Sequence, residues 1–356
     1  MIEIDGTYGE GGGQIVRTAL ALSALTGKPF HITKIREGRK VPGLKQQHVK
    51  GIEAITKLCN ATSTGAHLGS KELQFAPATI KAQTLSVDIE TAGSITLLLQ
   101  SLLLPCIFSE GKFRLRLRGG TDVPWSLPID YLSEVVLPQL RRYAAIECKT
   151  EARGYYPKGG GKVDIKIKGN FSKDHLESAP ALMLASPGKL IHIKGLSHAS
   201  SDLKAANVAE RQAHAAKYIL AKLGCPVTIA TEYQHTPSTG SGITLWAIFS
   251  HNTEDVDPNN PFRIGADSHG ERGKRAEIVG EEAANKLLAE ISAGAAVDQH
   301  LCDNLIPLLG LVGGSLKTSV ITRHTRSNIY VTELFLNKKF VVDEENKIIS
   351  CKNNNF

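Results

Sequence analysis

Apolar positions recur with a helical period in some segments of the chain and alternate in others. Near the N-terminus this pattern predicts an apolar helix at residues 14–26 and a strand at residues 30–35. A loop with Pro42 and Gly43 then leads to a second predicted helix at residues 46–59. The chain is therefore predicted to mix helices and strands from its start.

The same order of elements returns further along the chain. A helix is predicted at residues 94–108, a strand at 113–118 and, after a loop with two prolines, a helix at 129–143. Two segments with the same order indicate one duplicated β-α-β-α-β-β module.

A third module is predicted nearer the C-terminus. Its helices are expected at residues 274–291 and 298–309, and its strands at 319–324 and 328–336. Three such modules predict an α+β fold.

The segment between the second and third modules has a different order of predicted elements. Its predicted elements are a strand at 190–193, a long amphipathic helix at 202–223 and strands at 227–233 and 243–249. We interpret it as a small α/β domain inserted into the larger one.

This interpretation divides the chain into three parts. Residues 1–180 and 273–345 form the large three-module domain, 181–272 the inserted domain and 346–356 a C-terminal tail. The last residues, 352–356, are polar and are predicted to be disordered.

The charge balance adds a partner class to this picture. Lysine and arginine number 42 against 35 acidic residues, which gives a net charge of +7. Such a balance favours a polyanionic partner such as nucleic acid. Many enzymes of small molecules are equally basic, so charge alone does not decide between the two.

The compartment is predicted from cysteines and from the N-terminus. The six cysteines are scattered without metal-ligand or Cys-x-x-Cys spacing, which is typical of free thiols in a reducing compartment. The first residues lack the features of a signal peptide, and the apolar stretch at 95–108 is too short to cross a bilayer. We therefore expect a cytoplasmic protein with no membrane partner, and the sequence leaves its oligomeric state open.

Candidate chemistry begins at a glycine-rich loop, residues 9–14. The loop is neither a Walker A motif nor a dinucleotide fingerprint. Glu10 in it can bind a metal ion or a ribose hydroxyl, and Arg17, one turn into the helix, can face a phosphate. The alternative is that the glycines only permit a tight turn.

Two further segments are candidates for anion binding. Arg36, Arg39 and Lys40 crowd one loop, which is either a solvated loop or a phosphate contact. A second glycine-rich segment, residues 153–161, favours the phosphate contact.

His324 is the candidate nucleophile among twelve histidines. It ends a predicted strand, where alternation puts Thr322 on the same face and Asn328 joins them if the strand continues. Most single histidines are structural or surface residues, so the pattern alone does not assign its role.

Taken in order, these segments resemble the RNA 3′-terminal phosphate cyclase family from residue 4 to about residue 340. The resemblance is carried by residues 4–6, 9–15, 17–19, 35–39, 42–44, 47–48, 119–122, 153–157, 159–161, 270–273, 303–304, 324 and 328–329.

The resemblance implies a fold and a reaction. The fold is a large domain of three modules similar to the C-terminal domain of translation initiation factor 3, with a smaller inserted domain. The reaction uses ATP and Mg²⁺ or Mn²⁺ to convert an RNA 3′-phosphate to a 2′,3′-cyclic phosphate. It passes through a covalent histidine–AMP and an RNA adenylate.

The resemblance also implies roles for individual residues. His324 is the nucleophile, and imidazole suits this role because it is largely neutral near pH 7. The residues expected around nucleotide, metal or RNA phosphate are Glu10 (also the metal ligand), Arg17, Arg36, Arg39, Gln47, Gln100 and Asp303. His300 stands where the family pattern has a tyrosine expected to stack on adenine.

Three other functions fit parts of the sequence. A non-catalytic cyclase-like factor for ribosome assembly would lack the nucleophile, which His324 argues against. An enolpyruvyl transferase shares the repeated module but forms no histidine–AMP. A plain RNA-binding module is compatible with the basic charge.

Overall fold

The computed structural model describes residues 1–252 and 261–352. These residues form helices and four mixed, four-stranded sheets, which confirms the predicted α+β class. Most of the proline- and asparagine-rich segment 257–261 and the predicted disordered end beyond Lys352 lie outside the described residues.

The first sheet is built from the N-terminal elements. These are β1 (Ile2–Asp5), α1 (Gly13–Thr26), β2 (Phe30–Thr33), α2 (Gln46–Cys59), β3 (Thr62–Thr64) and β4 (Leu73–Ala76). Its strand order is β1-β2-β4-β3, with β1 parallel to β2 and the other pairs antiparallel. Both helices end where a left-handed residue follows, Gly27 (φ +71°) and Asn60 (φ +49°), so the predicted helix ends are confirmed.

The second sheet repeats that order. Its elements are β5 (Thr84–Asp88), α3 (Ile95–Ile107), β6 (Lys112–Gly119), α4 (Ile129–Tyr131), a π-helical turn (Leu132–Val136), α5 (Leu137–Leu140), β7 (Ala144–Ala152) and β8 (Gly161–Gly169). The strand order is β5-β6-β8-β7. The predicted helix at 129–143 is present as three consecutive helical pieces that end at Leu140.

The segment between β8 and the C-terminal elements contains another sheet. After a 3₁₀-helix (Lys173–Ser178) come β9 (Leu182–Leu184), β10 (Lys189–Ser200), α6 (Val208–Leu220), β11 (Val227–Gln234), β12 (Ser241–Ser250), β13 (Phe262–His269) and α7 (Ala276–Ser292). Two further 3₁₀-helices, Ser201–Ala206 and Ala221–Leu223, flank α6. The strand order is β11-β10-β12-β13, and α7 packs on α6 and β13.

The C-terminal elements complete the fourth sheet. They are α8 (Gln299–Val312), β14 (Gly314–Lys317), α9 (Arg323–Leu336), β15 (Phe340–Asp343) and β16 (Ile348–Cys351). Because β14 pairs with β9, the order β9-β14-β16-β15 matches that of the first two sheets. Part of the segment assigned to a C-terminal tail is therefore a paired strand, β16.

The strands predicted at 319–324 and 328–336 are wrong, because residues 319–322 form a loop and α9 begins at Arg323 and continues through Leu336. β-branched and aromatic residues in this segment favour a strand locally. Burial follows the helical period instead, since Asn328, Val331, Thr332 and Phe335 are buried on one face. Tertiary packing outweighs the local preference here.

Helices pack on helices at the centre of the molecule. α1 contacts α2, α3 and α9, while α9 also contacts α8. α3 is apolar on nearly all sides because it lies inside this layer, with eleven of its residues buried. Within residues 1–252 and 261–352, no helix has the length and apolarity needed to span a bilayer.

Candidate functional site

His324 lies in the first turn of α9 and not at the end of a strand. Thr322 caps this helix, with its Oγ1 accepting a hydrogen bond from the Thr325 amide at 2.9 Å. The Thr322 and Thr325 hydroxyls both donate to Asp303 Oδ1, at 2.7 and 2.6 Å. Burial raises the pKa of Asp303, and this carboxyl holds the helix start that presents His324. Asp303 is therefore placed to position His324.

The imidazole of His324 faces the glycine-rich loop. Its Nε2 lies 3.0 Å from Glu10 Oε2, and the same oxygen accepts a 2.8 Å hydrogen bond from Arg39 Nη2. The three side chains are between 32% and 43% exposed, so a ligand can reach them. We call Glu10, Arg39 and His324 the open cluster.

Glycine is required in the loop because two helices approach its backbone closely. Gly9 has φ +64°, and a β-carbon there would collide with the Ser327 hydroxyl of α9. A β-carbon at Gly13 would collide with the imidazole of His48 in α2. The N-termini of α1, α2 and α9 therefore meet at this loop, where their unpaired amides favour an anion.

His48 is a neighbour of the site for which the sequence analysis predicted no role. Its Nδ1 accepts a 2.9 Å hydrogen bond from the Lys45 amide, so the proton of the neutral ring lies on Nε2, which faces Gly13. Burial, with Arg17, Arg36 and Lys45 nearby, lowers its pKa to about 3. His48 is thus a neutral donor near pH 7. Its position beside Gln47 in the matched segment is the signal that could have identified it from the sequence.

Arg17 and Gln100 are joined, as are the helices that carry them. Arg17 Nε donates to Gln100 Oε1 at 2.7 Å, and Gln100 Nε2 donates to Asn304 Oδ1 at 3.0 Å. This chain links α1, α3 and α8, which explains a polar residue in the apolar α3. Burial, aided by Arg36, lowers the pKa of Arg17 to about 10, so it stays charged near pH 7.

Arg36 and Gln47 are both engaged with the backbone. Arg36 Nη1 donates to the Val41 and Gly43 carbonyls at 2.9 and 2.7 Å, closing the loop that presents Arg39. Burial lowers the pKa of Arg36. Gln47 Oε1 accepts from the amide of Ser94 at the start of α3, at 3.3 Å.

His300 lies in the first turn of α8 with its ring exposed. The ring meets Tyr131 edge-on, with centroids 6.4 Å apart at 85°. Its carbonyl accepts from Asn304, so it lies one turn from the Gln100 contact. An exposed ring at this place is consistent with stacking on a base.

The second glycine-rich segment presents no free arginine. Arg153 is buried and donates to Asp122, Asp130 and Glu232, at 3.0, 2.8 and 2.7 Å. Its guanidinium is therefore held by carboxylates, so the arginine of this segment gives no support to the anion-binding interpretation. The buried His198 Nε2 lies 3.3 Å from Asp122 Oδ1. We call Asp122, Asp130, Arg153 and His198 the closed cluster.

The comparisons with known proteins identify the family of the chain. The model of the family described as RNA 3′-terminal phosphate cyclase matches residues 8–342. The chain belongs to this family. The predicted resemblance is therefore confirmed.

Several members of the RNA 3′-terminal phosphate cyclase family are similar over nearly their whole length. A protein of that name from Pyrococcus abyssi is 45% identical over 346 residues, covering 97% of this chain and 96% of the relative. Another from Saccharolobus islandicus is 46% identical over 347 residues, with 96% of each covered. A third from Methanosarcina mazei is 44% identical over 359 residues, with 97% of each covered.

Proposed function

We propose that this chain is an ATP-dependent RNA 3′-terminal phosphate cyclase that carries AMP on His324. The observation that supports this most directly is the open cluster, in which the Glu10 carboxylate contacts both His324 Nε2 and Arg39 Nη2 beside three helix N-termini. The relatives are named for the same activity.

In the first step, His324 Nε2 attacks the α-phosphorus of ATP. The new N–P bond forms as the bond from the α-phosphorus to the β-bridging oxygen breaks, and pyrophosphate leaves. The attack needs the lone pair of Nε2, so the reacting neutral ring carries its proton on Nδ1. Glu10 Oε2, 3.0 Å from Nε2, is placed to accept the Nε2 proton of a doubly protonated ring before the attack. Arg39 then remains as a cation beside the phosphates.

Two further transfers use the same cluster. An oxygen of the RNA 3′-phosphate attacks the AMP phosphorus and the N–P bond breaks, so that His324 is regenerated. The RNA 2′-hydroxyl then attacks the 3′-phosphorus, loses its proton and displaces AMP. Arg17 and the neutral donor His48 lie beside the glycine-rich loop, where they stabilise the negative charge of the phosphate groups.

Glu10 is the residue that would hold a divalent cation. One carboxylate fits Mg²⁺ or Mn²⁺ here because such ions keep few protein ligands and bind substrate phosphates. When bound, the ion neutralises charge that develops on the transferred phosphoryl group. Arg39 and His324 both contact the Glu10 carboxylate, and these contacts would have to break before Glu10 binds a metal ion.

The domain division also remains a proposal. We infer that the three sheets of matching strand order are repeated modules similar to the C-terminal domain of initiation factor 3. The support is the shared element order and the pairing of β9 with β14. Because α7 packs on α6 and β13, we place this helix in the inserted domain and not in the third module. The inserted domain would then span residues 189–292 instead of the 181–272 expected from the sequence.

The non-catalytic alternative and the enolpyruvyl transferase alternative are less well supported. The first requires loss of the nucleophile, whereas His324 is present and accessible to a ligand. The second has no need for a histidine beside Glu10 and Arg39.

Incubation with α-labelled ATP and Mg²⁺ or Mn²⁺ tests the proposal. We expect acid-labile, protein-bound AMP on the native chain and background label on His324→Ala. His214→Ala, which changes an exposed histidine of α6, is the matched control and should keep full labelling. Undiminished label on His324→Ala, or no label on the native chain, would refute the proposal.

A further inference from the structure

The exposed face of the second sheet carries an unusual run of cations. Outward-facing side chains alternate with buried ones along β6 and β8, the two central strands. The outward residues are Lys112, Arg114, Arg116, Arg118, Lys162, Asp164, Lys166 and Lys168. Seven of these eight side chains are cationic, and we call this surface the basic face.

The register places like charges opposite each other on this face. Lys112 pairs with Lys168, Arg114 with Lys166 and Arg118 with Lys162. Like charges directly opposite each other destabilise a sheet. Only Arg116 faces an acidic residue, Asp164. The sheet therefore keeps an arrangement that works against its own stability.

Neighbouring carboxylates neutralise only part of the charge. Asp164 binds Arg114, Asp88 lies 3.4 Å from Arg118, and Glu147 lies 2.8 Å from Lys166. Among the residues that the structure describes, the other four cations have no ion-pair partner: Lys112, Arg116, Lys162 and Lys168.

The equivalent faces of the two matching sheets lack this feature. The outward residues of β2 and β4 include no lysine or arginine. Those of β14 and β16 include one, Lys317. Because the three sheets share one strand order, the architecture does not require a basic face, and the charge calls for another explanation.

The basic face leads toward the open cluster. At the end with Arg118 and Lys162, β6 runs into the loop before α4, and Gly120 of that loop accepts from the Ile95 amide at the start of α3. The amide of Ser94 there is bound by Gln47, a residue of α2 beside His48.

An exposed aromatic side chain lies in this connecting loop. Trp125 is 95% exposed, and its φ of +63° lies in the left-handed region that a tryptophan rarely adopts. The next residues are held against α3, since the Leu127 carbonyl accepts from Thr96 Oγ1 at 2.8 Å. A solvent-exposed indole in the loop that follows a strand of cations supplies the two features that bind single-stranded nucleic acid, base stacking and phosphate contacts.

We propose that the basic face binds the phosphate backbone of the RNA strand upstream of its 3′ end, and that Trp125 stacks on a base between this face and His324. This inference rests on the proposed function, which makes RNA the substrate. Outward residues along a strand repeat about every 7 Å, so β6 presents a row of cations that an extended strand can follow.

The test compares two variants with the same change in net charge. One is Arg116→Glu/Lys162→Glu/Lys168→Glu, and the control reverses three exposed lysines elsewhere, Lys57→Glu/Lys204→Glu/Lys222→Glu. Binding of a 3′-phosphorylated RNA of about 15 nucleotides is measured by fluorescence anisotropy, without ATP, over a range of salt.

We expect the basic-face variant to bind this RNA about 10- to 100-fold more weakly at low salt. The slope of log Kd against the logarithm of the salt concentration should decrease by about 2, because three phosphate contacts to a single strand are removed. The control should change little. With a 3′-phosphorylated dinucleotide, kcat/KM should be equal in native and variant chains, because the dinucleotide does not reach the basic face.

Further measurements separate this proposal from its neighbours. Self-adenylylation with ATP alone should be unchanged in the basic-face variant. If the native chain itself shows no self-adenylylation, the proposed function is refuted, but the comparison of RNA binding by the two variants remains valid. Equal weakening in both variants overturns the proposal. Unchanged RNA binding in the basic-face variant also overturns it. If that variant at the same time loses binding to phosphatidylserine vesicles, the basic face binds a membrane and not RNA.

Milder variants guard against misfolding. Lys162→Gln/Lys168→Gln removes two like-charge pairs and leaves Arg116 opposite Asp164, so it should raise Tm while still weakening RNA binding. Trp125→Ala should weaken binding of the longer RNA without changing its salt dependence, because stacking releases no counterions. A Trp125→Ala chain with native affinity would remove the stacking part of the proposal.

Discussion

The open and closed clusters use the same kinds of side chain but differ in exposure. In the open cluster, the side chains of Glu10, Arg39 and His324 are 32%, 41% and 43% exposed. In the closed cluster, Arg153 is 2% and Asp122 is 0% exposed.

Burial decides what each arginine can do. Arg153 binds three carboxylates, and its pKa is raised because the attraction of Asp122 and Asp130 outweighs its burial. Arg39 contacts one carboxylate and reaches solvent on its other side. Similar residues therefore stabilise the fold in one place and leave charge for a ligand in the other.

The largest expected difference comes from removing each arginine. Arg153→Met leaves Asp122 and Asp130 buried without their cation, which should lower the free energy of unfolding by about 3–5 kcal/mol. Arg39→Met should lower it by less than about 1 kcal/mol, because exposed ion pairs contribute little. Urea unfolding of both variants measures the difference, and similar losses would contradict the comparison.

Acid should affect the surroundings of the open cluster through His48. Its pKa is about 3 in the folded chain but about 6.5 when unfolded, so between about pH 6.5 and pH 3 only the unfolded chain takes up the proton. The free energy of unfolding should therefore fall by about 2 kcal/mol from pH 7 to pH 5 because of this residue.

Unfolding of His48→Asn over the same pH range checks this expectation. The variant should lose that part of the acid dependence, because asparagine does not titrate. His214→Asn, at an exposed position, should keep it. An unchanged pH dependence in His48→Asn would mean that the ring is not held neutral.

Substitution of Arg39 should change the free energy of unfolding least but should strongly reduce activity. Arg39→Gln should reduce conversion of RNA 3′-phosphate ends at least 10-fold while weakening binding of 3′-hydroxyl RNA less than 3-fold, since it acts on the end phosphate. Initial rates and anisotropy measure the two effects. Equal loss of both would mean that Arg39 contributes only general charge.

Parts of the site could be predicted from local sequence. Glu10 and Arg39 were singled out because a carboxylate among glycines and a crowded basic loop are unusual, and the structure brings both to His324. Gln100 stood out as a polar residue in an apolar helix, and it binds Arg17. Their distinct roles were not predictable, because Arg36 faces backbone carbonyls whereas Arg39 faces Glu10.

The sequence by itself determined the helices α1, α2 and α3 and the mixed fold class, because periodicity and the residues at helix ends act locally. The family also follows from an ordered set of motifs along the chain.

Only the tertiary structure decided the form of the His324 segment. Asp303, on α8, binds Thr322 and Thr325 and supports the start of α9, and the packing of α9 on α1 and α8 outweighs its local strand preference. It also decided that Arg153 is closed and Arg39 open, because burial depends on partners far away in the sequence.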